Sequence, residues 1–193
     1  MTLIAVTTLT VAGGYYWFTS ESPTHNHDER SSPADVYRTA IMTNPKNHDA
    51  HYNLGFVLQS QGKLDEAISH YRQAVALSGD QARYHNNLGA ALAVQDNLDE
   101  AIDHFNQAIK CEPDNAEAIF NLGNVFFSQE KLEDAIDQYR RTLELKPDYA
   151  KAHNNLAVAL KKTGHLQEAY QQRYEAMRLE RMQQGADSQE GAP

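Results

Sequence analysis

Histidines are the residues of this sequence that most invite a metal-site or acid–base interpretation. The chain contains nine of them, and His51, His85 and His153 recur at one fixed interval or a multiple of it. Zinc needs ligand atoms about 2 Å from the ion, whereas equivalent residues of neighbouring helical repeats lie on the order of 10 Å apart. We therefore interpret these histidines as packing or surface residues, and we expect no metal site and no cofactor.

Carboxylates and the single cysteine give no clearer sign of catalysis. The pairs Asp65-Glu66 and Asp99-Glu100 fall in the first turn of predicted helices, where acidic side chains interact favourably with the helix dipole. Cys111 has no second cysteine with which to pair, and we interpret it as a small packing residue. The sequence shows no phosphate-binding loop, nucleophile constellation or dinucleotide fingerprint. We therefore predict no catalytic residues and no enzyme activity.

Asparagine is the other polar residue that recurs with a fixed spacing. Asn53, Asn87, Asn121 and Asn155 are separated by the same interval as His51 and His85. Asparagine is a weaker helix former than alanine, yet its carboxamide offers both a donor and an acceptor. Four such groups in one column could hydrogen-bond the main chain of an extended peptide without reading its sequence. The alternative is inheritance, because duplicated repeats copy an asparagine whether or not it binds anything.

The elements that position these residues are four repeats of equal length, at 48–81, 82–115, 116–149 and 150–183. We number the positions of each repeat as places 1 to 34. Place 7 is leucine, place 8 is glycine or alanine, and place 20 is alanine in every repeat. Place 24 is aromatic in three repeats, as Tyr71, Phe105 and Tyr139, and Arg173 in the fourth. Places 4, 7, 8 and 11 share one helical face, and so do places 20, 24 and 27, so each repeat reads as two helices, A and B.

The pattern resembles the tetratricopeptide-repeat (TPR) family, in which leucine and glycine, then alanine and an aromatic residue, recur with this period. One departure is consistent, because place 4 is histidine or isoleucine where the family often has tryptophan. The resemblance implies an all-α, right-handed solenoid of antiparallel helix pairs that binds other proteins. We predict a half repeat or capping helix at 33–47, a solvating last helix in the repeat at 150–183, and a disordered tail at 184–193.

Residues 1–20 carry no charged side chain and end in an aromatic run from Tyr15 to Phe18. This composition is typical of a membrane anchor with its interfacial aromatic residues. A cleaved signal segment, with Thr10-Val11-Ala12 as the cleavage site, and a frayed apolar terminus remain alternatives. Residues 21–32 are polar, and we predict that they form a disordered linker.

The resemblance implies that helix A lines a concave groove through places 2, 5, 6, 9, 12 and 13. The asparagine column at place 6 resembles the asparagine ladder in the TPR arm of O-linked N-acetylglucosamine transferases. Further amides and exposed aromatic side chains would tune selectivity, with Phe127 either in the groove or packed between repeats. The predicted peptide-binding residues are Asn53, Asn87, Asn121, Asn155, Tyr52, Phe56, Asn86, Phe120, Asn124 and Asn154.

We therefore predict a protein-interaction scaffold that binds an extended peptide or protein segment and is tethered to a membrane if residues 1–20 form an anchor. The net charge of −9 and the lack of a basic cluster argue against nucleic-acid partners. Two alternatives stay open. The first is a self-assembling structural protein, which would form homo-oligomers. The second is a non-catalytic, substrate-binding subunit of a multi-chain enzyme.

Overall fold

The computed structural model describes residues 10–11, 14–15 and 32–190, with side chains over 32–184. The chain divides into two units, residues 1–32 and residues 33–193. In the first unit, strands β1 (Thr10–Val11) and β2 (Gly14–Tyr15) pair antiparallel, with Thr10 opposite Tyr15. The remaining residues of the predicted anchor and linker, up to residue 31, lie outside the described residues. The four that are described are extended, so they give no support to a continuous spanning helix.

The second unit is a succession of helices joined by short connections. Their bounds are α1 Pro33–Thr43, α2 His48–Ser60, α3 Leu64–Leu77, α4 Ala82–Val94, α5 Leu98–Cys111, α6 Ala116–Ser128, α7 Leu132–Leu145, α8 Ala150–Lys162 and α9 Leu166–Glu190. Helices α2, α4, α6 and α8 each begin at place 1 of a repeat. Each helix packs against the next along the chain, most closely within the pairs α2–α3, α4–α5, α6–α7 and α8–α9. The predicted all-α solenoid of antiparallel helix pairs is confirmed.

Each inner pair is held together by a glycine facing an aromatic ring. A Cβ atom added at Gly55 would lie 2.8 Å from the Tyr71 ring, and one at Gly123 would lie 2.8 Å from the Tyr139 ring. Both rings are buried, so neither can move aside to make room. In the fourth repeat, place 8 is Ala157 instead of glycine, and place 24 is not aromatic. Because no aromatic ring faces place 8 in this repeat, the Cβ atom of alanine fits there. The residue types at places 8 and 24 therefore change together.

The turn between helices A and B has the same backbone conformation in all four repeats. Place 15 has a positive φ at Gly62 (76°), Asp96 (63°), Glu130 (60°) and Gly164 (86°). Glycine adopts this left-handed region without cost, whereas other residues carry a penalty of about 1–2 kcal/mol. The tight connection between the two helices is therefore kept even where the sequence supplies no glycine.

Buried side chains from neighbouring repeats merge into shared clusters, one that extends from α1 to α6 and another from α6 to α9. Leu54, Leu88, Leu122 and Leu156 at place 7 are all buried, as are the place-20 alanines. At the N-terminal end α1 packs against α2 and contributes Ala34 to the first of these clusters. The half repeat thus covers the first helix pair, as an end of a solenoid requires.

The last helix is longer than predicted. Helix α9 continues to Glu190, beyond residue 183, where the sequence predicted that a disordered tail begins. No proline interrupts residues 166–190, so nothing in the sequence forces the helix to stop earlier. Leu166, Tyr170 and Tyr174 are exposed on this helix beside the polar residues that the prediction of a solvating helix rested on, such as Gln171, Arg178 and Arg181. Within the described ranges, no helix is both long and apolar enough to cross a membrane.

Candidate functional site

The place-6 asparagines form a row of contacts between consecutive A helices. Asn87 donates an amide hydrogen to Tyr52 Oη at 2.8 Å, and Asn121 donates to Asn86 Oδ1 at 3.1 Å. Asn155 donates to Asn124 Oδ1 at 2.8 Å. Each bond links an A helix to the A helix of the preceding repeat. We call this set of three bonds the amide ladder.

The place-6 carboxamides keep hydrogen-bond donors and acceptors that the amide ladder does not use. A carboxamide has two amide hydrogens and an oxygen with two lone pairs, and each of these donors uses one hydrogen in the ladder. All four place-6 side chains are half-buried. Asn53 has no preceding A helix, and in the described part of the chain its side chain makes no hydrogen bond. The place-6 row therefore links neighbouring A helices and keeps donors and acceptors that these bonds do not use.

The aromatic residues predicted for the groove fall into different environments. Phe120 is only 7% exposed and packs against Tyr139 and Tyr149, with ring centroids 5.8 and 4.9 Å away. Its prediction as an exposed groove residue was wrong, because Tyr149 in the loop before α8 covers it. Phe56, in contrast, is 58% exposed. Phe127 is half-buried against the neighbouring core, with Lys162 Nζ 4.8 Å from its ring centre, and it also lines a cavity beside Asn155.

The predicted amides outside place 6 also differ in how accessible they are. Asn86 is buried and serves as a ladder acceptor, so it is not a free groove side chain. Asn124 accepts from both Asn155 and the Tyr139 hydroxyl, at 2.8 and 2.9 Å. Burial raises the pKa of that tyrosine to about 12, so the hydroxyl stays a donor at neutral pH. Asn154 is half-buried and accepts a hydrogen bond from Arg173.

Tyr52 belongs to a polar and aromatic cluster at the N-terminal end of the groove. Its ring lies 4.9 Å from that of Tyr84, and the Arg83 guanidinium stacks 5.2 Å from its centre. The Tyr84 hydroxyl donates to Asp49 at 2.6 Å and lies 2.8 Å from His48 Nδ1. That hydrogen bond, aided by the charges of His48 and Arg83, lowers the pKa of Asp49 and outweighs its partial burial. Burial raises the pKa of Tyr52, which stays neutral.

Two cavities follow the amide ladder along the groove. One of about 410 Å³ lies between α4 and α6, and its lining includes Val94, Asn121 and Asn124. A smaller one of about 150 Å³ lies between α6 and α8, lined by Asn124, Phe127, Tyr139, Asn155 and Val158. Val94 is 71% exposed and was missed as a site residue, although its place 13 is a groove position. Each cavity combines ladder amides with apolar walls.

The histidines make a contact that spacing alone did not reveal. His51 and His70 join through their Nδ1 atoms at 3.1 Å, and His85 and His104 at 3.0 Å. Each pair joins place 4 of helix A to place 23 of helix B in one repeat. The Nε2 atoms of His51 and His85 lie 3.1 Å from the carbonyl oxygens of Pro45 and Gly79.

These carbonyls determine how the histidine pairs are protonated. A carbonyl only accepts hydrogen bonds, so the Nε2 of each place-4 ring carries a hydrogen. When both rings of a pair are neutral, the place-4 Nδ1 accepts from the place-23 ring. Burial, followed by the charge of the place-4 ring, lowers the pKa of the place-23 rings of His70 and His104. Among the described residues, no cluster of three or more histidine, cysteine or acidic side chains is arranged to hold a metal ion.

Comparisons with known proteins agree with this architecture. Models of the tetratricopeptide repeat match residues 48–112, 104–137 and 123–164. No curated protein sequence matches the chain. A crystal structure of MamA is 26% identical, with a TM-score of 0.73, and the match covers 79% of this chain and 89% of that one.

Two further solved structures have the same fold. A structure of Pseudomonas aeruginosa pilF is 26% identical, with a TM-score of 0.69, over 74% of this chain and 65% of that chain. MamA from Desulfovibrio magneticus RS-1, from residue 41 to its end, is 22% identical with a TM-score of 0.72. This last match covers 80% of this chain and 89% of that one, and it shows the fold alone. With its repeats matched in sequence and its helix pairs matched in structure, this chain belongs to the tetratricopeptide-repeat family.

Proposed function

We propose that this protein-interaction scaffold binds an extended protein segment along the groove lined by α2, α4, α6 and α8. The observation that carries the proposal is the place-6 asparagine row, which runs through all four repeats and keeps hydrogen-bonding capacity beyond the amide ladder. An extended main chain offers alternating donors and acceptors, which is what a row of carboxamides complements. The resemblance of the place-6 row to the asparagine ladder of the transferases also remains a prediction.

The cavities beside the amide ladder would give such binding its selectivity. Val94, at the cavity of about 410 Å³, and Phe127, at the cavity of about 150 Å³, offer apolar contact next to asparagine side chains. A bound segment would place small or medium apolar side chains in these cavities while its main chain meets the amides. The two cavities lie one repeat apart, so a segment of several residues is needed to reach both.

The chemistry of the groove favours binding over catalysis. Its described side chains are mainly amides, aromatic rings and aliphatic groups, which recognise peptides well and are weak acids and bases. The titratable Tyr52 and Asp49 are held in their ordinary neutral and charged states by burial and hydrogen bonding. The predicted absence of enzyme activity is therefore part of the proposal.

A photo-crosslinking experiment in the native cell tests the proposal. The reactive group belongs at Val94, which is exposed beside Asn121, and not at the buried Phe120. We expect a discrete adduct that contains a second protein and is strongly reduced by Asn53→Ala together with Asn121→Ala. Asn106→Ala is the matched control, because Asn106 is exposed on helix B at place 25, away from the amide ladder.

Other outcomes of the experiment would change the assignment. An adduct with twice the mass of the chain would favour the self-assembling alternative. An adduct that contains an enzyme subunit would support the substrate-binding alternative. Adduct formation that is equally strong in the asparagine variants and in the Asn106→Ala control would contradict a role for the place-6 row.

The membrane tether is a separate proposal that rests on the uncharged composition of residues 1–20. Fractionation of cells that express the full chain, compared with a chain that begins at residue 21, tests it. We expect the full chain in the membrane fraction and the shortened chain outside it. A full chain that is absent from membranes, or one found only in a shortened mature form, would favour one of the other two interpretations of this segment.

A further inference from the structure

The C-terminal end of the solenoid exposes the surface that every inner repeat covers. Places 17, 21 and 28 of helix B are apolar in all four repeats. In the inner repeats these side chains are buried or half-buried beneath the helix A that follows. In α9 the same places are Leu166, Tyr170 and Met177, all of which are exposed, with Tyr170 74% accessible. Residues 178–190 continue α9 as one helix and therefore do not fold back over this face.

Place 25 on this C-terminal face is more apolar in the last repeat than in the other three repeats. Place 25 is Arg72 in the first repeat and Arg140 in the third, and each forms a two-bond ion pair with the next repeat, through Glu100 and Glu168 at 2.8–2.9 Å. In α9 this place is Tyr174, which is 63% exposed. Leu166, Tyr170, Tyr174 and Met177 follow spacings of three and four residues, so they form one stripe on the helix.

A cavity of about 490 Å³ lies beside this stripe. Its lining includes two cations at places where the other repeats have none. Leu166, Tyr170, Ala157 and Val158 form its apolar wall. Lys161 and Arg173 also line it, at places 12 and 24, where the second and third repeats carry alanine or aromatic residues. In the described part of the chain Lys161 forms no ion pair. The Arg173 guanidinium donates a hydrogen bond to Asn154, which is neutral and leaves the positive charge without compensation.

The last repeat as a whole is also more positively charged than the other three repeats. The repeat at 150–183 carries six lysines and arginines against three carboxylates, whereas each of the other three repeats has more carboxylates than cations. An apolar surface rimmed with cations inside an acidic protein is complementary to a helix that has an apolar face and acidic flanks.

We propose that the C-terminal face, formed by Val158, Lys161, Leu166, Tyr170, Arg173, Tyr174 and Met177, docks an amphipathic acidic helix of another protein. The helix lies where a further helix A would follow. The inner repeats show what such a helix presents, since α6 buries Ala118, Leu122 and Val125 against the preceding pair. Carboxylates beside that apolar face meet Lys161 and Arg173. This docking surface adjoins the C-terminal end of the peptide groove, because Val158 also lines the smaller groove cavity and Lys161 occupies the groove place 12.

A peptide built on the α6 pattern is the probe for this proposal. It is a 13-residue helix, the length of α6, stabilised by a side-chain lactam on its outer face. Alanine, leucine and valine occupy its third, seventh and tenth positions, and glutamates flank them. We expect the full-length protein to bind the labelled peptide in a fluorescence anisotropy titration. Replacing the glutamates with lysines should weaken binding about tenfold or more, as expected when buried or half-buried ion pairs become repulsive.

Variants locate the binding to the C-terminal face. Tyr170→Ser combined with Tyr174→Ser should weaken binding about tenfold, a typical effect of removing aromatic anchors. Met42→Ser, at an equally exposed residue on α1, is the matched control and should change nothing. Lys161→Glu should weaken the glutamate peptide and strengthen the lysine peptide. Asn121→Ala should leave the affinity unchanged, which separates this surface from the groove.

Three results would overturn the proposal. The first is a glutamate peptide that does not bind, and the second is binding that the tyrosine variant leaves intact. The third comes from sedimentation velocity, which reports the oligomeric state without any peptide. A dimer that Tyr170→Ser with Tyr174→Ser dissociates would show that a second copy of the chain covers this face.

Discussion

The left-handed residue at place 15 shows how one backbone position constrains every repeat. Gly62 and Gly164 satisfy it, whereas Glu130 adopts a φ of 60° with a full side chain. Glutamate lacks the short polar side chain with which asparagine and aspartate ease this conformation. The third repeat therefore folds with a local strain that the first and fourth repeats avoid.

Replacing this residue should relieve the strain. We expect Glu130→Gly to raise the free energy of unfolding by about 0.5–1 kcal/mol, because the penalty of the left-handed conformation exceeds the entropy that glycine adds to the unfolded chain. Urea denaturation followed by circular dichroism measures the change. Glu133→Gly, in the first turn of α7 where φ is helical, serves as the control and should destabilise. A Glu130→Gly protein less stable than the parent would show that the glutamate side chain has an interaction of its own.

At the scale of helices, the amide ladder joins elements that the core also joins. Asn86 is buried, and its carbonyl oxygen accepts from Asn121. Because a buried acceptor without a partner costs about 1–3 kcal/mol, Asn121→Ala should destabilise more than a surface substitution does. Partner binding and stability must therefore be measured separately for every place-6 variant.

A double-mutant cycle isolates this bond. We expect Asn86→Ala and Asn121→Ala each to lower the free energy of unfolding by about 1 kcal/mol or more. The double variant should be more stable than the sum predicts, by about 0.5–1.5 kcal/mol, since the second substitution removes a group that is already unpaired. Additive effects in urea denaturation would mean that the two side chains do not interact in solution.

The histidine pairs add a pH-dependent link between helices A and B. Burial, followed by the charge of the partner ring, lowers the pKa of both His70 and His104 below the usual 6.5. Glu66 and Glu100 act in the opposite direction, and Arg38 on α1 and Arg72 on α3 reinforce the lowering. At pH values just below 6.5 the unfolded chain therefore binds more protons than the folded chain.

Stability should consequently be complete above pH 6.5 and fall as the pH decreases through the window between 6.5 and the lowered pKa values. His70→Gln combined with His104→Gln should flatten this dependence, because glutamine occupies the same place in the fourth repeat as Gln172, 2.7 Å from His153 Nδ1. Thermal unfolding at pH 7.5 and pH 5 measures the effect. His165→Gln, at an exposed histidine, should keep the parent's pH dependence, and a double variant that also keeps it would exclude the pairs as its source.

For the whole molecule, the sequence predicted the architecture well and the accessibility of single side chains less well. The repeat period and the small and aromatic places determine how helices pack, so the solenoid followed directly. Phe120 was misplaced because the ring that covers it, Tyr149, comes from a loop whose path the periodicity does not specify. The histidine pairs were missed because places 4 and 23 meet only after helices A and B are packed. The exposed stripe on α9 was missed because its polar neighbours dominate the composition.

The third repeat contains several of its packing contacts within its own bounds, 116–149, in addition to those with its neighbours. Gly123 faces Tyr139, Phe120 packs beneath Tyr149, and Asn124 accepts from the Tyr139 hydroxyl. A second copy of residues 116–149 placed before Ala150 would bring these contacts with it and would pack against a repeat identical to itself. It should therefore fold into a chain longer by about one helix spacing, on the order of 10 Å. Unequal duplication of such a unit lengthens the solenoid by one whole repeat at a time. The terminal repeat, with alanine at place 8 and arginine at place 24, remains at the C-terminal end of the longer solenoid.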